Sequence, residues 1–97
     1  MYKLQVYLET LQAVAEETEV EMEKILSGCK EEEVIDARAI LIQLLADQGF
    51  YPIQISKLAG ICQRSINRHL LDFPLREKTR KLMRLNYDNL RNKLGVT

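Results

Sequence analysis

Apolar residues recur with helical spacing along the whole chain, and no segment shows the strict alternation typical of a strand. The stripes predict six helices: about residues 2–17, a short second helix carrying Met22, Ile25 and Leu26, then about 33–48, 52–59, 62–71 and 75–94. The third stripe, with its aliphatic run from Val34 to Leu45, predicts the central element of the core. The fold class expected is an all-α, six-helix bundle.

Glycine and proline set the boundaries between the last four predicted helices. Gly49 stops the third helix, and Pro52 suits the first turn of the fourth, where its missing N–H is no loss. Pro74 is disfavoured in a helix interior, so we expect it to separate a helix ending near Leu71 from a last helix over 75–94.

The segment from Ile55 to Leu70 meets the demands of a helix-turn-helix, predicted over residues 52–71. A small residue, Ser56, stands where two helices must cross closely, and four residues later Gly60 can take the positive φ of a tight turn. Apolar side chains that would tuck beneath the corner follow at the right spacing: Ile55, Ala59, Ile61, Ile66 and Leu70.

With Ile66 and Leu70 pointing inward, helical spacing turns four polar side chains outward on one surface. We expect base contacts from Gln63, Arg64, Asn67 and Arg68, whose amides and guanidinium groups suit base edges. We expect phosphate contacts from Lys57, Ser65, Arg76 and Arg80. The alternative is an ordinary solvated helix face, which every bundle has.

The net charge of zero conceals a strong asymmetry between the two halves of the chain. Residues 1–50 hold eleven acids and four bases, a charge of −7, whereas residues 51–97 hold three acids and ten bases, a charge of +7. The basic half therefore indicates a polyanionic partner. The alternative is that the two halves fold back and neutralise each other.

The chain resembles the C-terminal DNA-binding domain (domain IV) of the replication initiator DnaA, a Trp-repressor-like helical fold. Similar segments are AVAEETEVEMEKILSG, DARAILIQLLADQG, YPIQISKLAG and NYDNLRNKLG, which together extend from about Leu11 to Gly95. The resemblance implies one DnaA-like helix-turn-helix domain over residues 1–97 that binds double-stranded DNA. Roles in transcription regulation, in replication or as an accessory protein of a mobile element would all suit such a domain.

Two segments depart from that family's pattern. The family's recognition helix opens with Gly-Arg-Asp-His-Thr-Thr-Val, whereas this chain has GICQRSI from Gly60 to Ile66, with one residue fewer in the turn. The loop before the third helix is arginine-rich in the family, but here it reads GCKEEE, and only Lys30 and the later Arg38 are basic. A competing hypothesis is therefore a protein-interaction module that kept the fold and lost DNA binding.

Other classes of function lack a supporting motif in the sequence. The chain shows no phosphate loop or nucleophile elbow, and His69, Cys29 and Cys62 lack zinc-ligand spacing, so we expect no enzyme, cofactor, metal or small-molecule substrate. No window is apolar enough for a membrane span, and a cytoplasmic protein with free thiols is expected. In the leading amphipathic helix, residues 1–17, the side chains of Leu4, Tyr7 and Leu8 suggest a homodimer contact.

Overall fold

The computed structural model describes residues 2–95, and this part of the chain consists of six α-helices without a strand. Their bounds are α1 Tyr2–Thr18, α2 Met22–Leu26, α3 Glu32–Asp47, α4 Pro52–Ala59, α5 Gln63–Thr79 and α6 Lys81–Leu94. The all-α class and the six helices predicted from periodicity are thus confirmed. Pro52 opens α4, as its position in the sequence predicts.

Helix α3 is the centre of the fold, because it packs against each of the other five helices. Its side chains from Ile40 to Ile42, together with Leu44 and Leu45, are completely buried. Helices α1, α2, α5 and α6 each contribute at least one buried apolar residue to the same cluster, including Val14, Ile25, Ile66 and Leu90. Burial of this cluster is the main source of stability, since each such side chain contributes about 1.5–3 kcal/mol.

The predicted boundary at Pro74 is wrong. Helix α5 continues through Pro74 to Thr79, and the interruption falls at Arg80, so the last helix covers Lys81–Leu94 rather than 75–94. A proline inside a helix lacks one backbone hydrogen bond, and tertiary contacts offset this loss. Phe73 is buried edge-on against the Tyr87 ring, with 4.9 Å between ring centroids, which holds α5 against α6 on either side of the proline.

The N-terminal helix presents less apolar surface than its sequence suggests. Tyr7 lies in the core with 3% of its surface exposed, so it is not available for the homodimer contact that its spacing indicates. Leu4 and Leu8 remain about half exposed, one turn apart on α1. Of the three residues predicted to form a homodimer contact, only these two leucines are available for it.

Candidate functional site

The corner between α4 and α5 is built around Gly60. Its backbone has φ 72° and ψ 22°, the left-handed conformation that glycine adopts at little cost, and its N–H donates to the Ser56 carbonyl at 2.9 Å. The Ser56 hydroxyl crosses the turn and donates to the Ile61 carbonyl at 2.5 Å. Three residues, Gly60 to Cys62, therefore suffice to redirect the chain from α4 into α5.

Apolar residues fix the corner from below. Ile55 and Ile66 are completely buried and Ala59 nearly so, while Ile61 and Leu70 are partly buried against the same core. One side of the first half of α5 is thereby held against the domain. The opposite side must face solvent, because helical spacing separates the two.

The four residues predicted to contact bases lie on this outer side, and the structure brings them together. Gln63, Arg64, Asn67 and Arg68 are all exposed, and so is Ser65. Within residues 2–95 no carboxylate lies within 4 Å of the Arg64 or Arg68 guanidinium group. We call Gln63, Arg64, Asn67 and Arg68 the outer face of α5.

Lys57 extends the basic character of this region onto α4. It is exposed in the last turn of that helix, three residues before Gly60, and forms no ion pair with any other described residue. Its ammonium group is thus free to approach a phosphate from the other side of the corner.

Arg76 and Arg80, by contrast, both form ion pairs with a carboxylate of α3, that of Asp36. Arg76 Nη1 donates to Asp36 Oδ1 at 2.9 Å, and Arg80 Nε donates to Asp36 Oδ2 at 2.7 Å. Glu32 lies farther away, at 3.8 and 3.5 Å from the same two guanidinium groups. The hydrogen bond to Asp36 raises the pKa of Arg80. The structure therefore places both arginines at the contact of α3 with α5 and α6, apart from the outer face of α5.

Arg38 has a structural position that sequence reasoning missed. Its guanidinium group donates to three backbone carbonyls, those of Ile25 at 2.8 Å, Ser27 at 2.6 Å and Cys29 at 3.1 Å. Burial lowers its pKa below the usual value, but an arginine retains its charge at neutral pH. A single basic residue inside the apolar stripe of α3 was the signal for such a role. Arg38 holds the segment between α2 and α3 in place beside α5.

That segment and α5 enclose a cleft of about 380 Å³. Its described lining residues are Ser27, Gly28, Lys30, Ile35, Arg38, Ile61, Ser65, Arg68 and His69. Four of them carry basic groups, and none of these nine carries a carboxylate. Burial, and then the positive charges of Arg38 and Arg76, lower the pKa of His69, so its imidazole is neutral at pH 7. Arg68 and Ser65 thus border a basic cleft as well as belonging to the exposed side of α5.

The three glutamates at the start of α3, Glu31 to Glu33, do not line this cleft. Glu31 forms an ion pair with Lys24 at 3.5 Å, and Glu32 is the more distant neighbour of Arg76 and Arg80. Glu33 borders a different depression, near Asp36 and Arg80. None of these three carboxylates lies within 4 Å of the Arg64 or Arg68 guanidinium group.

Among the described residues, no three His, Cys, Asp or Glu side chains are arranged to hold a metal ion. Both cysteines are free, Cys62 exposed at the corner and Cys29 half-buried. None of the helices between residues 2 and 95 is long and apolar enough to cross a membrane.

In comparisons with known proteins, no family model, curated protein or solved structure matches the chain.

Proposed function

We propose that this protein binds double-stranded DNA through a helix-turn-helix formed by α4 and α5. The observation that carries the proposal is the outer face of α5, where two arginines without a carboxylate partner among residues 2–95 stand beside Gln63 and Asn67, all four exposed next to the Gly60 corner. Arginine pairs with guanine through two parallel hydrogen bonds, and side-chain amides pair with adenine in the same manner. In the proposed complex α5 lies in the major groove, and α4 crosses the DNA backbone.

The surrounding basic groups supply the contacts that are independent of sequence. Lys57 reaches a phosphate from α4, and Ser65, Lys30 and Arg68 border the basic cleft on the other side of α5. Arg76 and Arg80 contribute less than their charge suggests, because a phosphate would have to displace Asp36. We propose that the fold is of the DnaA C-terminal, Trp-repressor-like type, with a DNA sequence preference of its own, because the residues of α5 differ from that family's.

Selection of bound sequences from a random duplex pool is the experiment that tests this function. We expect an enriched site, and binding to it that weakens steeply as salt rises, since each neutralised phosphate releases counterions. Pools without enrichment, together with no binding to mixed duplex at low salt, would refute the proposal.

Two substitutions distinguish reading of bases from simple attraction to phosphates. Arg64→Ala should weaken binding to the selected site by about 1–3 kcal/mol and relax preference at one base position, whereas Lys57→Ala should weaken binding to all duplexes alike. Both residues are exposed, so neither variant should unfold. Equal losses on every sequence for both variants would show that α5 does not read bases.

The competing function is a protein-interaction module of the same fold. The net charge of zero favours it, since many DNA-binding domains are strongly basic overall. The salt series separates the two functions, because an interaction module would show no salt-dependent affinity for duplex.

A further inference from the structure

Arg38 has one nitrogen atom that the fold does not use. Its Nε donates to the Ile25 carbonyl, and its Nη2 donates to the carbonyls of Ser27 and Cys29. Its Nη1 forms no hydrogen bond with any residue from 2 to 95, and it is not among the fully enclosed polar atoms of that part of the chain. Because Arg38 is 8% exposed and lines the basic cleft between α5 and the segment that joins α2 to α3, the N–H groups of Nη1 remain available to a ligand in that cleft.

Three further donors line the same cleft. The Lys30 ammonium and Arg68 guanidinium groups are exposed, and neither has a carboxylate within 4 Å in the described part of the chain. The hydroxyl of Ser65, one turn before Arg68 on α5, adds an uncharged donor. Together with Arg38, these groups place three positive charges around an opening of about 380 Å³, which has room for a tetrahedral oxyanion.

The imidazole of the cleft lies in a predominantly positive environment. His69 is the single histidine of the sequence, and burial lowers its pKa. The charges that act on it are, in decreasing order, those of Arg38, Arg76, Asp72 and Arg68, of which only Asp72 is negative. An anion is therefore attracted to this end of the cleft.

Two carboxylates lie close to the cleft without lining it. Glu31 belongs to the segment before α3, and its carboxylate forms an ion pair with Lys24 at 3.5 Å. Asp72 lies one turn beyond His69 on α5 and has no ion-pair partner among residues 2–95. Asp72 is thus the charge that opposes an anion most directly, and its removal should favour binding.

We propose that the basic cleft binds a phosphate group, held by Nη1 of Arg38, by Arg68 and by Lys30. A phosphate group has more oxygen acceptors than a carboxylate, which suits three cations and a hydroxyl arranged around one opening. This phosphate belongs either to a free phosphate monoester or to the backbone of bound DNA. The second source rests on the proposed function, whereas the first is independent of it. Arg68 also belongs to the outer face of α5, so the same side chain serves the cleft and that face.

Titration with inorganic phosphate in the absence of DNA tests the site. Sodium chloride keeps the ionic strength constant, so general screening does not change during the titration. Saturable NMR shifts should appear at the backbone amides of Lys30 and Ser65 and at the imidazole of His69. Lys30→Ala and Arg68→Ala should each weaken phosphate binding about tenfold, because a hydrogen bond between charged groups is lost.

Matched variants outside the cleft control for net charge. Lys78 and Arg84 are exposed and have no carboxylate within 4 Å between residues 2 and 95, so Lys78→Ala and Arg84→Ala should leave the phosphate affinity unchanged. Asp72→Asn should strengthen phosphate binding, whereas Asp88→Asn, at an exposed acid on α6, should not. Circular dichroism establishes that each variant is folded.

The titration of His69 gives a second readout that is specific to the cleft. A bound dianion should raise the pKa of His69, because it stabilises the imidazolium form. Sulfate is the probe in this pH series, since its charge does not change over the range in which a histidine titrates. Chloride at the same ionic strength should raise that pKa less.

A phosphate diester separates the two sources of the phosphate group. Dimethyl phosphate resembles the DNA backbone, so it should shift the same NMR signals if the cleft receives a backbone phosphate. It should leave them unchanged if the cleft receives a free monoester. Both results support a phosphate site. Phosphate binding by a chain that binds no duplex would refute the proposed DNA function and leave the phosphate site standing.

Two results would overturn the proposal. If inorganic phosphate leaves the signals of Lys30, Ser65 and His69 unshifted at constant ionic strength, it does not enter the cleft. Equal phosphate affinities in Arg68→Ala and Arg84→Ala would show that the anion is attracted to basic surface in general rather than bound in the cleft.

Discussion

Helix α5 carries arginines at both ends, and the two ends differ in what surrounds them. Arg64 and Arg68, near the Gly60 corner, have no carboxylate within 4 Å among the described residues. Arg76, two turns beyond Arg68, shares Asp36 with Arg80 through hydrogen bonds of 2.9 and 2.7 Å. The residue type and the helix are the same, but one end is available to a ligand and the other is committed to the fold.

The difference has a simple energetic consequence. Exposed, unpaired guanidinium groups give up only water when they meet a phosphate or a base. Arg76 must also give up a charge-assisted hydrogen bond to Asp36, whose side chain is only 14% exposed, and such bonds are about twice as strong as neutral ones. Counting basic residues therefore overstates the surface that can bind a polyanion. The positions of neighbouring carboxylates decide which end of α5 has arginines that are available to bind a polyanion.

The largest expected effect is a loss of stability on substitution of Arg38, whose guanidinium group bonds to backbone carbonyls of the same chain. Arg38→Met should lower the free energy of unfolding by about 3 kcal/mol, because three backbone carbonyls lose a charged donor and the group is buried. Urea denaturation measures the loss. Arg84→Met, at an exposed arginine on α6, is the matched control and should change stability by less than about 0.5 kcal/mol. Equal midpoints for the two variants would contradict the structural role of Arg38.

A second substitution converts the committed arginines into available ones. Asp36→Asn should cost about 1–2 kcal/mol of stability and release Arg76 and Arg80 from their carboxylate. If the chain binds DNA as proposed, its affinity at low salt should rise and the salt slope should steepen, because two more phosphates can be neutralised. Asp88→Asn makes the same change in charge at an exposed acid that pairs with no described arginine, so it should leave the slope unaltered. Identical slopes in both variants would mean that Asp36 does not withhold these arginines.

The corner that precedes Arg64 and Arg68 is tested by substitution of Gly60. Gly60→Ala should lower stability by about 1 kcal/mol, because φ is +72° and a side chain disfavours that conformation even though the added Cβ meets nothing within 4 Å. Gly95, at the end of α6, has the same φ and the same open space, so Gly95→Ala is the control for backbone strain alone. Titration with the selected duplex should show weaker binding for Gly60→Ala only. Unchanged affinity in that variant would show that the corner does not orient the outer face of α5.

The smallest expected effect is a pH dependence at His69, between the two ends of α5. Burial and the nearby charges of Arg38, Arg76 and Arg68 lower its pKa, while Asp72 opposes them. A lowered pKa means that the unfolded chain takes up the proton first as pH falls below about 6.5. The contribution of His69 to the free energy of unfolding should therefore be fully present above that pH. It should decrease, by less than about 1 kcal/mol, as pH falls through the lowered pKa.

Urea midpoints at pH 7.5 and 5.5 measure this dependence. The difference between the two midpoints should shrink in the His69→Gln variant, whose side chain does not titrate. A difference of the same size in both proteins would assign the pH dependence to other groups.

The local pattern of apolar residues was sufficient to predict the number of helices and the corner at Gly60. Six apolar stripes correspond to six helices, and the residues expected beneath the corner, such as Ile55 and Ile66, are buried. Gly60 takes the left-handed conformation that its position predicts. These features depend on residues within a few positions of one another, and helical periodicity directly reports such relations.

The prediction failed where distant contacts outweigh local preference. The boundary expected at Pro74 moved to Arg80, since Phe73 packs on Tyr87 and Arg76 binds Asp36 across 40 residues of sequence. Tyr7, which appears on an amphipathic stripe as a contact for a second copy, is buried in the core instead. Local propensity favours certain helix boundaries and certain exposed positions, but contacts between residues distant in sequence determine which of them form.

The sequence by itself determined the number of helices, the turn at Gly60 and the side of α5 that faces outward, because each follows from spacing along one segment. Only the tertiary structure decided which charges remain free. It joined Arg38 to the segment after α2, placed Asp36 against Arg76 and Arg80, and left Arg64 and Arg68 without a carboxylate partner among residues 2–95. The physical reason is that an ion pair depends on the distance between two groups in space, which helical periodicity along a single segment does not report.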